Sequence, residues 1–150
     1  MKPHTPIHYV DTAVFLETLT KPQTDVGRDC DRYLKRLGKI YVWTVSEPVF
    51  SEFYLFILQK RGKADSDNIH DFFWFIFNEK KPIIIPPEKG YIKVDYIQSL
   101  DSRLSFMDCL HLASATDNSQ VFVTIDEKIL GNSFLEKRLG LKILHPSDLL

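Results

Sequence analysis

The chain has 150 residues, 44% apolar and 26% charged, with a net charge of −1, which suits a single globular domain over residues 1–150 with one sizeable core. That balance lacks the basic excess of a duplex-binding protein and neither indicates nor excludes an RNA substrate. The opening M-K-P-H-T-P has no apolar signal segment, and the densest apolar run, residues 72–77, is far too short to span a bilayer, so a cytoplasmic protein with no membrane partner is expected.

The first predicted strand is I-H-Y-V, residues 7–10, closed by Asp11. Helices over 12–20 and 25–37 follow it. A second strand over 40–44 leads to helices over 47–59 and 64–79. Residues 83–85 form a third strand. Over 88–103 Gly90 weakens a helix, although Ile92, Tyr96, Ile97 and Leu100 have helical spacing. A helix over 106–117 precedes a fourth strand, V-F-V-T-I, residues 121–125, closed by Asp126; a helix over 127–138 and a fifth strand over 142–144 complete the chain. The strands are short, apolar and β-branched, as in sheets covered on both faces. Alternating strand and helix predicts an α/β fold with a parallel sheet and right-handed crossovers. Ligands in such sheets bind beyond the carboxyl ends of the strands, at the topological switch point. If the first and fourth strands are neighbours, Asp11 and Asp126 meet there. Cys30 and Cys109 lack metal-site spacing, so neither a zinc site nor a disulfide framework is expected. The basic clusters Lys35-Arg36, Lys60-Arg61 with Lys63, and Lys80-Lys81 read singly as solvated helix ends, and together could flank a nucleic-acid groove.

Two more acids stand in apolar settings. Asp108 lies one turn into the helix of S-F-M-D-C-L-H-L-A-S-A, on the stripe of Leu112 and Ala115. Glu52 falls among Val49, Phe50, Phe53 and Leu55, in a helix that Ser46 can cap, with Pro48 in its first turn. Four acids brought together either raise one another's pKa values or bind a cation. Oxygen-only ligation suits Mg²⁺ or Mn²⁺, ions that activate water for phosphodiester hydrolysis. Each acid also has a structural reading: Asp11 and Asp126 as caps of the helices that follow them, Glu52 as a solvent-facing residue. Asp108 is the hardest to explain structurally. Glu47 competes with Glu52 for the second position, but an acid in a first helical turn already has a role toward the helix dipole.

Strand-D-T-A at residues 9–13, S-E-P-V-F-S-E-F, D-C-L-H-L-A-S-A and V-F-V-T-I-D together resemble the motifs of a PIN domain, and of the VapC group of toxin ribonucleases in particular. The likeness covers nearly the whole chain, and its specificity lies in motif order and spacing. It implies a three-layer α/β/α fold with a short, mostly parallel five-stranded sheet. It implies a metal-dependent endoribonuclease using Mg²⁺ or Mn²⁺, with Asp11, Glu52, Asp108 and Asp126 in the family's acidic positions and Thr124 as the hydroxyl two before the last acid. Ser46, six residues before Glu52, and Thr12, beside Asp11, belong to the same motifs as supporting residues. An RNA substrate, a homodimer and an antitoxin partner are further implications. The chain departs from the family where a further acid often follows the last one: those positions are Lys128 and Ile129.

A haloacid dehalogenase phosphatase would need an acid at position 13, which is alanine, and a response-regulator receiver would need an acid pair and a late lysine that are not clear here. The alternative that remains is a non-catalytic PIN-like RNA-binding or scaffold protein. In I-H-D-F-F-W-F-I-F, Ile69, Phe72, Phe73 and Ile76 share one helical face, expected in the core. Trp74, Phe75 and Phe77 then point elsewhere, either into the core on a second side or toward a dimer seam or an antitoxin groove. His70 and His111 read as surface and packing residues.

Overall fold

The computed structural model describes residues 5–59, 63–86 and 88–150. Lys60-Arg61 lies outside them. Five strands, β1 (Ile7–Val10), β2 (Val42–Ser46), β3 (Ile83–Ile85), β4 (Val121–Val123) and β5 (Lys142–Leu144), form one parallel sheet in the order β3-β2-β1-β4-β5. The chain builds outward from β1 through β2 to β3, then returns to place β4 on the other side of β1. That reversal makes the β1–β4 boundary the switch point. Register pairs Tyr9 with Thr44 and with Phe122, and Val10 with Val123.

Period-two alternation sends β1 side chains to opposite faces. His8 and Trp43 face α1 (Thr12–Thr20) and α2 (Asp25–Leu34), where Phe15 meets Trp43 at 5.9 Å and Tyr33 meets His8. Tyr9, Ser46 and Phe122 face α7 (Phe106–Thr116). α3 (Glu47–Gln59) follows β2 without a linking residue, so Ser46 is the last strand residue rather than a cap, and its hydroxyl turns to the Tyr9 hydroxyl at 2.6 Å. The second strand lies two residues later than predicted: Ile40, although β-branched, is exposed and lies outside it. Burial on both faces holds for the central β1 and β4 but not for the edge strand β3, where Ile83 and Ile84 are open.

The aromatic stretch divides differently from the helical expectation. α4 (Lys63–Trp74) passes into a π-helical turn over Phe75–Glu79. A π turn holds more residues per turn than an α turn, so Phe77 rotates inward. It packs on Phe50, Phe73, Phe15 and Trp43, which places it in the core rather than at an interface. Trp74 and Phe75 stay exposed, as does Leu55. Lys80 is buried rather than solvated: its ammonium donates to the Lys35 carbonyl and its own carbonyl accepts from Trp43 Nε1.

Residues 88–103 form two short helices, α5 (Glu88–Tyr91) and α6 (Val94–Leu100). The helix predicted over 127–138 is only α8 (Ser133–Leu139), capped by Asn132, because residues 127–131 are a turn. Cys30 and Cys109 are buried and free. Among the described residues no helix is long and apolar enough to cross a membrane.

His8 makes the fold sensitive to acid. Its ring is 2% exposed, stacks on Tyr41 and shares a hydrogen bond with the Tyr33 hydroxyl at 2.9 Å. Burial lowers its pKa to about 4. Between the ordinary value near 6.5 and 4, the unfolded chain binds a proton that the folded chain refuses, so stability rises with pH in that window. Urea denaturation should therefore lose on the order of 1–3 kcal/mol from this group between pH 7 and 4.5. His8→Phe, which cannot charge, should remove that part of the slope; an unchanged slope would show that His8 charges freely in the fold.

Candidate active site

The first acid is set by strand pairing. Asp11 follows β1 directly, and its backbone N–H continues the ladder to Val123 O at 3.0 Å. It occupies the N-cap position of α1, yet its side chain makes no capping bond. The carboxylate instead accepts the Thr124 hydroxyl at Oδ2, 2.8 Å, and stands 7% exposed.

Thr124 joins the two strand ends. β4 ends at Val123, and the Thr124 hydroxyl that donates to Asp11 also accepts the Asp126 N–H at 3.0 Å. The expected meeting of Asp11 and Asp126 is therefore made through a hydroxyl rather than carboxylate to carboxylate. Asp126 Oδ1 accepts the Lys128 N–H at 2.9 Å, an Asx-type turn in place of the predicted helix cap.

Glu52 enters from α3. Its Oε1 accepts the Thr12 hydroxyl at 2.7 Å and is bonded to His111 Nε2. Glu47 is exposed at the start of α3, so Glu52 is the acid that meets the cluster. Asp108 has a fuller structural role than its sequence setting suggested. It forms a capping box with Ser105, accepting the Ser105 N–H at 2.9 Å while its own N–H donates to Ser105 Oγ at 3.1 Å.

His111 is more than a packing residue. It is 2% exposed, with Nε2 against Glu52, 3.3 Å from Thr12 Oγ1 and 3.9 Å from Asp11 Oδ1. Nδ1 lies 2.7 Å from the Tyr9 hydroxyl. Burial opposes a charge on this ring, but the Glu52 hydrogen bond and the charges of Asp11, Glu52 and Asp108 outweigh it and raise its pKa. With both nitrogens protonated, one N–H donates to Glu52 and the other to Tyr9, whose hydroxyl then donates to Ser46. The sequence carried a signal for this: His111 is at i+3 from Asp108, and Tyr9 is two residues before Asp11 on the same strand face. His70, by contrast, is exposed.

Two electrostatic groups result. Burial raises the pKa of Asp11; His111 and the Thr124 hydroxyl pull it down, and Glu52 and Asp108 push it up again, with a net rise. Lys128 makes the second group, with Nζ 3.3 Å from Asp108 and 3.8 Å from Asp126, and both acids raise its pKa. Among the described residues no three His, Cys, Asp or Glu side chains are arranged to hold a metal ion. The donor chemistry nevertheless fits a hard divalent cation. All four acids offer carboxylate oxygens, and Asp11 is a buried carboxylate opposed by two others, a charge that a cation would relieve.

Three solved structures share this arrangement of elements. VapBC2 from Rickettsia felis, bound to a DNA fragment from its promoter, aligns with TM-score 0.65 and 18% identity over 93% of this chain and 98% of that one. FitAcB from Neisseria gonorrhoeae aligns with TM-score 0.66 and 16% identity over 93% and 97%. FitAB bound to an IR36 DNA fragment aligns with TM-score 0.65 and 18% identity over 93% and 95%. The fold is PIN-like. At these identities the likeness is one of fold, and it extends over nearly the full length of each chain. The sequence matches no family model and no curated protein. In this PIN-like frame the acids lie at the carboxyl end of the sheet, where the switch point opens.

Proposed function

We propose that the protein is a Mg²⁺- or Mn²⁺-dependent endoribonuclease, the toxin of a toxin–antitoxin pair. The observation that carries this reading is Asp11: a buried carboxylate, free of its capping role, at the switch point of the sheet and coupled to Glu52 and Asp108. Asp11, Glu52, Asp108 and Asp126 are the residues that would hold the ion. When bound, such an ion polarises a phosphoryl oxygen and lowers the pKa of water. The chain's own residues orient the acids. Thr124 fixes one oxygen of Asp11, and Thr12 with His111 fixes Glu52. Tyr9 and Ser46 hold the imidazole from behind.

The toxin role draws support from the VapBC2 and FitAB likenesses. An antitoxin helix and a second copy of the chain are the partners proposed for the exposed Trp74 and Phe75. A second reading, a non-catalytic PIN-like RNA-binding or scaffold protein, is favoured by one observation: Lys128 places an ammonium between Asp108 and Asp126, supplying there the positive charge that a metal would bring. Incubating the protein with mixed-sequence RNA, with Mn²⁺ or with excess EDTA, separates the two. Cleavage is expected with Mn²⁺ and none in EDTA. Undiminished cleavage in EDTA would sink the metal-dependent mechanism, and no cleavage under either condition would leave the scaffold reading.

A further inference from the structure

We infer that the hollow beside the acids is a subsite for one unpaired nucleobase, guanine above the others; this rests on the reading of the acid cluster as a ribonuclease site. α3 and α7 both begin at the carboxyl end of the sheet, and between their first turns lies a cavity of about 200 Å³. Glu47 and Ser51 of α3 and Met107 and Leu110 of α7 line it, with Tyr91 and Phe106. Ser51 is next to Glu52 and Met107 is next to Asp108, so the hollow and the acid cluster share the same two helix turns.

Tyr91 and Phe106 form the platform. Their rings lie 6.3 Å apart and within 28° of parallel, and the two residues are 54% and 51% exposed. Gly90 supports the pairing: a Cβ there would fall 2.6 Å from Ser114 Oγ and 2.8 Å from Leu110 Cδ1, so a side chain would have to displace both for α5 to lie this close to α7 and set Tyr91 beside Phe106. Exposed near-parallel aromatic faces are what unpaired bases stack on. The cavity is smaller than the roughly 300–1,000 Å³ of sites for drug-sized molecules, which suits one flat ring system. An amphipathic helix would instead need a groove with several apolar anchors. Glu47 supplies the recognition. Its carboxylate has no hydrogen-bond or ion-pair partner among the described residues, and it can only accept when ionised. Guanine presents two N–H donors side by side on its Watson–Crick edge, matching the two oxygens.

The test uses the full chain in EDTA, where no cleavage intervenes, and reads fluorescence anisotropy with labelled oligouridines. One carries a single central guanosine, one an adenosine and one an abasic residue. The guanosine strand should bind tightest. Phe106→Ala and Tyr91→Ala should each weaken it roughly tenfold, the scale of one lost base stack. Phe106→Trp should keep the affinity, and Glu47→Gln should lose the guanosine preference while keeping preference for any base over the abasic strand. Equal binding of guanosine and abasic strands, or wild-type affinity in a folded Phe106→Ala protein, would overturn the subsite. Discrimination without Mn²⁺-dependent cleavage would keep the subsite and refute the nuclease, whereas cleavage without discrimination would do the reverse.

Discussion

Asp11→Asn should abolish Mn²⁺-dependent RNA cleavage while making the metal-free protein more stable. The two halves have one cause. Asp11 is buried, its charge is opposed by Glu52 and Asp108, and its carboxyl pKa is raised above the ordinary value. The ionised form is therefore less favourable in the fold than in the unfolded chain, and its contribution to stability falls as pH rises through that range. Asparagine keeps the shape and an acceptor for the Thr124 hydroxyl but carries no charge. With EDTA present, its melting temperature should rise by a few degrees, at about 2–4 °C per kcal/mol for a chain of this size. Loss of one group that organises charge at a transition state costs on the order of a hundredfold or more in rate. Cleavage assays in Mn²⁺ and thermal melts in EDTA decide the matter. A variant that cleaves normally removes Asp11 from the site, and one that melts lower than wild type gives it a structural role.

The largest stability loss is expected at Trp43. Its side chain is 1% exposed, lies against Phe15 and Phe77, and donates Nε1–H to the Lys80 carbonyl at 2.8 Å. That carbonyl belongs to a residue whose ammonium is itself tied to the Lys35 carbonyl, so Trp43 pins the exit of the π turn to the sheet and to the end of α2. Truncation to alanine removes a large core side chain, about 3–5 kcal/mol in comparable positions, and also leaves the Lys80 carbonyl without that donor. Urea denaturation should show a loss of about 4 kcal/mol, with an unchanged dependence on denaturant. Trp43→Phe, which removes the N–H and part of the ring, should lose clearly less. A loss below about 1 kcal/mol for alanine would mean that the Phe75–Glu79 segment collapses into the space.

Much of the architecture was legible because local chemistry decided it. β1, β3 and β5 were found at their observed ends, as were α1 and α3, since apolar runs and helical periodicity are properties of neighbouring residues. Asp11 was legible for the same reason, as a carboxylate directly after an apolar strand. Where long-range contacts competed with local propensity, the reading failed. Ile40 reads as a strand residue, yet it lies outside β2 and is exposed. Helical spacing sets Phe77 off the face of Ile69, Phe72, Phe73 and Ile76 and leaves core or interface open, and the π turn settles it inward. Residues 127–131 read as helix, yet the Asx-type turn at Asp126 and the cap at Asn132 delay α8 to Ser133.

The sequence by itself determined the alternation of strand and helix, the apolar central strands, and the presence of acids at strand ends and on apolar helices. The tertiary structure alone decided which of those acids share a field. Strand order placed β4 beside β1 and let Thr124 bridge Asp11 to Asp126. The packing of α7 and α3 over that point brought His111 to Glu52 and Asp11, and the turn after β4 brought Lys128 to Asp108. The physical reason is one of range. Propensity and periodicity are set within a few residues, whereas charge pairing depends on distance in space: Asp108 and Lys128 are 20 residues apart along the chain, Glu52 and His111 59, and Asp11 and Thr124 113.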